Sequence, residues 1–370
     1  MTRIGWSSRR AVLAAGLTAT LAPRIVLARS GIDRQYRILL DEDFLWLDKR
    51  GADRLIATAR ATGFNTIMPC VWHGRGVTWA SELPRERYWE KNLDAGKDPL
   101  GYLVAAAHAA GLEVHPWFTV TLRQRDFFRA YWDDGTPKDS FDIHRPEFRA
   151  FITEVILEVV RRYPVDGVNL DYIRSRGVCT SPACREDYRR RTGENLLADA
   201  AITRLSEGAR ERIIAWNSAA MAALVEQISG AVRSARPGLP ISISAHAGVE
   251  GFRIEGVDSI GWVNRQWVDW LLHMEYAKPA DMRVGLMEGA RAKLREPWRM
   301  IVIAGNYEKN PLDRDDVWSR DPALVAEAVR TGLGVNREGR GVALYSYRFL
   351  NREQQAALAP VLAKAGLEQQ

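Results

Sequence analysis

The sequence has few cysteines and lacks long hydrophobic runs, and both absences restrict what the protein can be. Three cysteines in 370 residues exclude a small domain held together by many disulfides. No run of about 18 apolar residues occurs, so we expect no integral membrane segment. A hydrophobic content of 46% and a charged content of 26% are typical of a folded globular protein rather than a disordered chain.

Acidic residues are missing from positions 1–28, where four arginines occur. This segment accounts for much of the net charge of +6, because the rest of the chain is almost evenly balanced between acids and bases. The positive charge therefore does not belong mainly to the folded part. It gives no argument for nucleic acid as a partner, and we expect none.

The same segment has the parts of an export signal. Arg9 and Arg10 precede an uncharged run over residues 11–23, and small residues follow at a suitable cleavage position. We predict a twin-arginine-like signal peptide at 1–28 and a mature domain at 29–370, located in the periplasm or secreted. An amphipathic first helix, or export by the general route, stays open as an alternative.

Two of the cysteines lie close together in a polar loop. Cys179 and Cys184 flank Pro182, which favours a turn, so we predict a local disulfide between them. A zinc pair is the less favoured reading, because no second pair of Cys or His at metal spacing follows. Cys70 lies in an apolar run and is expected to be a buried thiol.

Apolar, β-rich runs alternate along the chain with helical patterns. This alternation predicts parallel strands covered by helices, and eight such units favour a (β/α)8 TIM barrel of one domain over an open sheet. A polar insertion, residues 174–206, follows the fourth strand. No Gly-x-Gly-x-x-Gly follows the first strand, and we expect no cofactor. The predicted strands cover residues 37–40, 64–72, 113–119, 165–171, 240–245, 269–275, 299–304 and 341–345.

Two of these strands end on an acid, at the end of a barrel where function is usually located. Strand alternation places Asn169 and Asp171 of the fourth strand on the inner face. On the sixth strand the same argument turns His273 and Glu275 inward and Trp270, Leu272 and Met274 outward. We therefore predict that Asp171 and Glu275 form a catalytic carboxylate pair, as in glycoside hydrolysis.

Spacing alone leaves alternatives open for this pair. Either carboxylate could instead belong to a structural ion pair with Arg174 or His273, and Asp41, Asp43, Glu250 and Glu308 also lie near strand ends. Aromatic and polar residues collect at the same ends, and flat aromatic faces with polar rims suit sugar rings. The predicted substrate-binding residues are Trp72, His73, His115, Trp117, Asn169, Arg174, His246, Tyr276, Asn306 and Tyr347.

Several segments resemble the bacterial glycoside-hydrolase-like family 10. They include residues 63–67, 98–100, 111–118 and 344–347, and the most specific is Asp-Gly-x-x-x-Asp-Tyr-x-Arg over 166–174. The resemblance implies a TIM barrel, an envelope or secreted location and hydrolysis of a glycan. It also makes Asp171 the best catalytic candidate.

One departure from the family pattern concerns the second carboxylate. The family usually has Pro-Gln-x-Tyr after the sixth strand, whereas this chain has His273-Met274-Glu275-Tyr276. Glu275 therefore replaces a neutral residue, and the family pattern does not supply a carboxylate at this position.

The sequence therefore predicts an exported glycoside hydrolase whose partner is an oligo- or polysaccharide. Two alternatives stay open: a glycan-binding barrel without activity, and a metal-dependent hydrolase built on the six histidines. The second is disfavoured because no His-x-His follows the first strand and no His-Glu-x-x-His occurs, so we expect no catalytic metal. No Gly-x-Ser-x-Gly supports serine hydrolase chemistry.

Overall fold

The computed structural model describes residues 35–81, 98–313, 315–335 and 341–367, and the predicted signal peptide lies outside them. The strands in these ranges are β1 (Tyr36–Asp41), β2 (Thr66–Trp72), β3 (Glu113–Val114), β4 (Trp117–Thr119), β5 (Val168–Asp171), β6 (Ile241–Ala245), β7 (Trp270–Glu275), β8 (Met300–Gly305), β9 (Tyr307–Lys309), β10 (Val317–Ser319) and β11 (Gly341–Tyr345). The helices are α1 (Lys49–Thr62), α2 (Pro99–Ala109), α3 (Pro146–Arg162), α4 (Pro182–Thr192), α5 (Leu196–Ile202), α6 (Glu207–Ala235), α7 (Ser259–Asn264), α8 (Val284–Ala292), α9 (Pro322–Val335) and α10 (Arg352–Leu367).

The main sheet is parallel and closed. β1 pairs with β2 on one side and with β11 on the other, which joins the two edges of the sheet. β3 and β4 together form the third of eight strand positions, and the break between them falls at Pro116, which has no N–H to donate to a neighbouring strand. The predicted (β/α)8 barrel and its eight strand segments are confirmed. β9 and β10 form a small antiparallel pair outside it.

Two hydrophobic layers hold the barrel together. Leu39 and Leu170 belong to the outer layer, between the strands and the helices. Leu40 and Trp117 belong to the inner layer, which fills the barrel. Because most of these strands carry apolar residues on both faces, alternation shows which residues share a face but does not show which face is the inner one.

The faces of β7 are the reverse of the prediction. Trp270, Leu272 and Met274 lie in the inner layer, whereas Leu271 packs in the outer one. Trp270 pairs laterally with Ser242, which in turn pairs with Asn169 on the inner face of β5. His273 and Glu275 alternate with these residues and therefore face the helices.

The polar insertion after β5 is folded into helices α4 and α5. The Ser181 hydroxyl accepts a hydrogen bond from the Cys184 backbone N–H and so caps α4. Cys179, Cys184, Tyr188 and Trp216 form a separate hydrophobic cluster that attaches the insertion to α6. Within the described residues, no helix combines the length and the hydropathy needed to cross a bilayer.

Candidate active site

Asp171 is the last residue of β5 and lies at the C-terminal mouth of the barrel, with 5% of the residue exposed. Tyr172 follows with a φ of 51°, which ends the strand, and its N–H donates to Asp171 Oδ1 at 2.5 Å. Burial raises the pKa of Asp171 to about 7, and the negative charge of Glu42 adds to this shift. The carboxyl is therefore largely protonated below neutral pH and can act as an acid.

Glu42 follows β1 and is the second carboxylate of the cleft. Its Oε1 lies 2.9 Å from His73 Nε2, and the Tyr345 hydroxyl donates to Oε2. Burial alone would raise the pKa of Glu42, but the hydrogen bonds of His73 and Tyr345 outweigh it and hold the pKa below its ordinary value. Glu42 is therefore ionised where Asp171 is protonated.

His73 is itself oriented by a neighbour. Gln124 Nε2 lies 2.6 Å from His73 Nδ1, and an amide nitrogen can only donate. Nδ1 therefore accepts, and the ring proton on Nε2 is free to donate to Glu42. This arrangement fixes the histidine tautomer and the direction of the Glu42 carboxylate.

Four aromatic rings surround the two carboxyl groups. Tyr276 stacks on Tyr345 with 5.1 Å between ring centroids, and Tyr307 and Trp117 contact the Tyr345 ring edge to face at 5.7 Å and 6.2 Å. The Trp117 indole N–H makes no hydrogen bond of ordinary length among the described residues, although its proximity lowers the pKa of Asp171. The cleft thus offers aromatic faces to a ligand.

Arg320 holds the tyrosine side of the cleft in place. It is almost fully buried, and its guanidinium donates to the backbone oxygens of Gly305, Tyr276 and Tyr307. It also pairs with Glu308 at 2.7 Å. Because its hydrogen bonds converge on two adjacent strand ends, Arg320 fixes the spacing between Tyr276 and Tyr307.

The opposite side of the mouth carries a cation and a histidine. The Arg174 guanidinium lies over the rings of Tyr172 and Phe252, at 5.1 Å and 5.0 Å, and its charge lowers the pKa of Asp171. His246 stacks on Phe252 at 5.2 Å, and its Nδ1 lies 3.0 Å from the Met274 carbonyl oxygen. His73, Trp117, Arg174, His246 and Tyr276, all predicted from the sequence, therefore meet at one mouth.

Glu275 does not reach this cleft. Its Oε2 accepts from Arg283 Nε at 3.1 Å and from the Arg283 backbone N–H at 3.4 Å, and its Oε1 accepts from Ala277 at 3.4 Å. These contacts lie toward α8, in the helical shell. The predicted pairing of Asp171 with Glu275 is therefore not what the structure shows, because β7 turns its other face inward.

Two predicted aromatic contacts also lie away from the mouth. Trp72 packs in the outer layer, with ring centroids 5.3 Å from Phe128 and 5.8 Å from Phe151, because the register shifts after Cys70. His115 lies at the amino end of the barrel, edge to face with Tyr36 at 5.7 Å. Neither side chain is placed to bind a ligand in this cleft.

Asn169, Asn306 and Tyr347 serve the fold instead. Asn169 donates to Ser242 Oγ at 2.9 Å and accepts from Ser244 Oγ at 3.1 Å, within a polar layer beneath Asp171. Asn306 exchanges hydrogen bonds with the Ser346 backbone and is fully buried. Tyr347 packs against the outer layer.

The other acids at the strand ends are also engaged elsewhere. Asp41 shares the outward face of Leu39 and accepts from the Leu45 N–H at 3.0 Å. Asp43 pairs with the exposed Arg348 at 2.9 Å, and Glu250 pairs with Arg253 at 2.8 Å. Cys179 and Cys184 are free thiols in the structure, so the predicted disulfide is absent from it.

Sequence reasoning missed Glu42 and Tyr172. The signal for Glu42 was available in the alternation of β1: Tyr36, Ile38 and Leu40 face inward, and Glu42 is the next residue in that phase. Together, one protonated and one ionised carboxyl in an aromatic cleft can perform acid and base chemistry on a neutral substrate.

The chain matches a family model described as glycosyl hydrolase-like 10 over residues 38–133 and 120–293. The glycosyl hydrolase DigH of Escherichia coli strain K12 is 27% identical over 216 residues, which cover 49% of this chain and 44% of DigH. The glycosyl hydrolase YngK of Bacillus subtilis strain 168 is 24% identical over 216 residues, covering 50% of this chain and 39% of YngK. The alignments thus span less than half the length of these relatives.

Solved structures agree on the fold. The PgaB (BpsB) glycoside hydrolase domain from Bordetella bronchiseptica superposes with a TM-score of 0.63 at 13% sequence identity. The match covers 89% of this chain and 99% of that domain. At this identity the likeness concerns the barrel and not the chemistry.

Proposed function

The chain belongs to the glycosyl hydrolase-like 10 family, and from that premise we propose that it is an exported glycoside hydrolase that cleaves a bacterial envelope or extracellular polysaccharide. The single observation that carries the proposal is the pair Asp171 and Glu42, whose pKa values are shifted in opposite directions within one cleft. Pairs of titratable groups separated in this way perform acid and base roles in enzymes.

In the proposed mechanism Asp171 is the general acid. Its carboxyl holds a proton near neutral pH because it is buried, and it gives this proton to the glycosidic oxygen as the bond to C1 breaks. The leaving sugar departs as a neutral alcohol. Tyr172 N–H and Arg174 then stabilise the carboxylate that is left on Asp171.

Glu42 is the second carboxylate of the mechanism. It is ionised, and His73 and Tyr345 hold it in one orientation, so its charge stabilises the positive charge that develops on the sugar. It acts on C1 directly as nucleophile or removes a proton from the attacking water. The anomeric configuration of the first product distinguishes these two roles.

The rings at the mouth supply the binding part of the proposal. Trp117, Tyr276 and Tyr345 present aromatic faces beside the carboxyl pair, and sugar rings pack on such faces. Both relatives reported above are named glycosyl hydrolases, which supports the same class of substrate. The six histidines do not favour the metal-dependent alternative, because His115 lies at the amino end of the barrel and His273 faces the helices.

The proposal is tested with Asp171→Asn on a panel of purified envelope and exopolysaccharides. Release of reducing ends should fall by at least about a hundredfold, as loss of general acid catalysis typically costs. Binding of the same polysaccharide should be retained, because the aromatic faces are unchanged. Wild-type protein that binds a glycan but releases no reducing ends from any member of the panel would instead identify a glycan-binding barrel.

A further inference from the structure

Three side chains that commonly ligate metals converge outside the cleft. Asp142 lies in the loop between β4 and α3, and Cys179 and Cys184 lie at the start of the insertion after β5. One ligand atom from each of the three lies within 4.8 Å of the others. All three residues are buried, with at most 3% of each exposed.

The distances in this cluster suit a small tetrahedral ion. Cys184 Sγ lies 3.5 Å from both oxygens of the Asp142 carboxylate. Zinc bonds of about 2.3 Å to sulfur and about 2.0 Å to oxygen at a tetrahedral angle separate the two ligand atoms by roughly 3.5 Å. The distance between Cys184 Sγ and the Asp142 oxygens is therefore already the one that two ligands of a tetrahedral zinc ion require.

The surroundings of Cys179 match what a bound thiolate needs. Ser181 Oγ lies 3.4 Å from Cys179 Sγ, and Thr136 Oγ1 lies 3.8 Å from it. Both hydroxyls can donate to a thiolate and so orient it, as groups around metal ligands do.

Charge also favours a cation at this position. Two thiolates and one carboxylate carry three negative charges in a buried place, which a divalent ion reduces to one. Arg145 Nε lies 3.5 Å from Asp142 Oδ2, and the positive charge of Arg149 also acts on this carboxyl. These arginines balance the charge that remains after the ion binds.

A surface cavity connects the cluster to solvent. It is lined by Asp142, Cys184, Arg145 and Arg149. An ion can enter by this cavity, and a water in it can occupy the fourth coordination position. The Cys-x-x-x-x-Cys spacing alone did not reveal a site, because the third ligand comes from a distant part of the chain.

We propose that Asp142, Cys179 and Cys184 bind a zinc ion that joins the loop after β4 to the insertion after β5. The site is separate from the proposed carboxylate pair and does not depend on its activity. By joining these two segments, the ion stabilises the stretch that runs from Tyr172 to the insertion and forms one wall of the cleft.

The metal content of the full chain tests this proposal directly. Protein produced in zinc-supplemented medium and gel-filtered without chelator should contain about one zinc per chain by mass spectrometry. Cys179→Ser combined with Cys184→Ser should reduce this at least about tenfold. The matched control Cys70→Ser removes the third thiol, which lies in the inner layer of the barrel, and should keep the zinc.

Cobalt gives a second readout that needs no variant. Wild-type protein stripped of metal under reducing conditions and loaded with Co²⁺ should show sulfur-to-cobalt charge-transfer absorption and the intense visible bands of tetrahedral cobalt. Wild-type protein without zinc and without these bands would overturn the proposal, as would a double cysteine variant that keeps its zinc. Peptide mapping that finds Cys179 and Cys184 joined in the zinc-supplemented protein would overturn it as well.

Discussion

Glu42 follows the first strand of the barrel and Asp171 ends the fourth, and the charge of Glu42 helps to raise the pKa of Asp171. The two residues are distant in sequence and come together only because the sheet closes. His73 and Tyr345 keep Glu42 charged, and burial keeps Asp171 protonated. The chemistry proposed for this protein depends on that asymmetry.

The asymmetry predicts a bell-shaped dependence of kcat/KM on pH. Activity should fall as pH rises through about 7, where Asp171 loses the proton it must donate. It should fall on the acid side only below the ordinary pKa of a glutamate, because the pKa of Glu42 is lowered.

The variant Glu42→Gln tests whether the charge of Glu42 raises the pKa of Asp171. It removes the negative charge that raises the pKa of Asp171, so that pKa should decrease. Carbon NMR of the Asp171 carboxyl measures this even in an inactive variant. An unchanged pKa would contradict the coupling between the two groups.

Asp171 should also make the fold less stable at high pH. Its folded pKa of about 7 lies above the ordinary value of 3.8, so the folded state keeps a proton that the unfolded state has released. Stability is therefore lost as pH rises from the ordinary value of 3.8 to about 7, and this group causes no further change at higher pH. Asp171→Asn avoids the buried charge and should gain stability on the order of a few kcal/mol at pH 8.

Thermal unfolding at two pH values checks this prediction. The gain of Asp171→Asn should vanish at about pH 3, which lies below both pKa values, so that the wild-type carboxyl is largely neutral in both states. Burial also raises the pKa of Asp41 to about 7. Asp41 therefore changes the free energy of unfolding with pH equally in both proteins, and its contribution cancels in the comparison. An equal difference in Tm at both pH values would show that the charge of Asp171 is not its cause.

Tyr345→Phe should weaken catalysis without removing it. The substitution deletes the hydroxyl that donates to Glu42 and leaves the ring that stacks on Tyr276. A hydrogen bond to a charged group is worth about 1.5–3 kcal/mol, so kcat should fall roughly 10- to 150-fold. The acid limb of the pH profile should move to higher pH, because Glu42 loses a contact that favours its charged form.

Tyr347→Phe is the matched control for this variant. Tyr347 is two residues away and carries the same hydroxyl, but it packs against the outer layer. Its substitution should leave the pH profile unchanged. Equal effects of the two variants would place the cleft elsewhere.

Export is a prediction of its own and depends on residues 1–28. The mature chain should start near Arg29, because small residues end the uncharged run before it. Intact-mass analysis of periplasmic protein measures the cleavage, and Arg9→Lys with Arg10→Lys should block export by the twin-arginine route. A periplasmic protein that retains residues 1–28 would contradict the cleavage.

The architecture followed from local patterns in the sequence. Eight apolar runs alternate with helical segments, and parallel pairing with closure is the arrangement that buries both faces of such strands. The position of Asp171 at the mouth of the barrel also followed from this pattern, because the residue ends its strand and precedes a polar insertion. These features depend on short-range order and on a general rule about barrel ends.

The faces of β7 could not be predicted in the same way. Leu271 and Leu272 are equally apolar, so the choice between them is made by the lateral register with Ser242 and Asn169, which is a property of the closed sheet. Asn169 and Asn306 are likewise unavailable to a ligand because they hydrogen-bond to residues on other strands and helices. Such long-range contacts determine which polar groups remain free for a ligand.

Comparing Glu42→Gln with Glu275→Gln tests the central claim most directly. Both substitutions neutralise a largely buried glutamate at the C-terminal end of a barrel strand, but only Glu42 lies in the cleft with Asp171. With kcat/KM measured on folded protein, Glu42→Gln should lose at least about a hundredfold. Glu275→Gln should stay within a few-fold of wild type and show a lowered Tm. The reverse pattern, with Glu275→Gln inactive and Glu42→Gln active, would contradict the account.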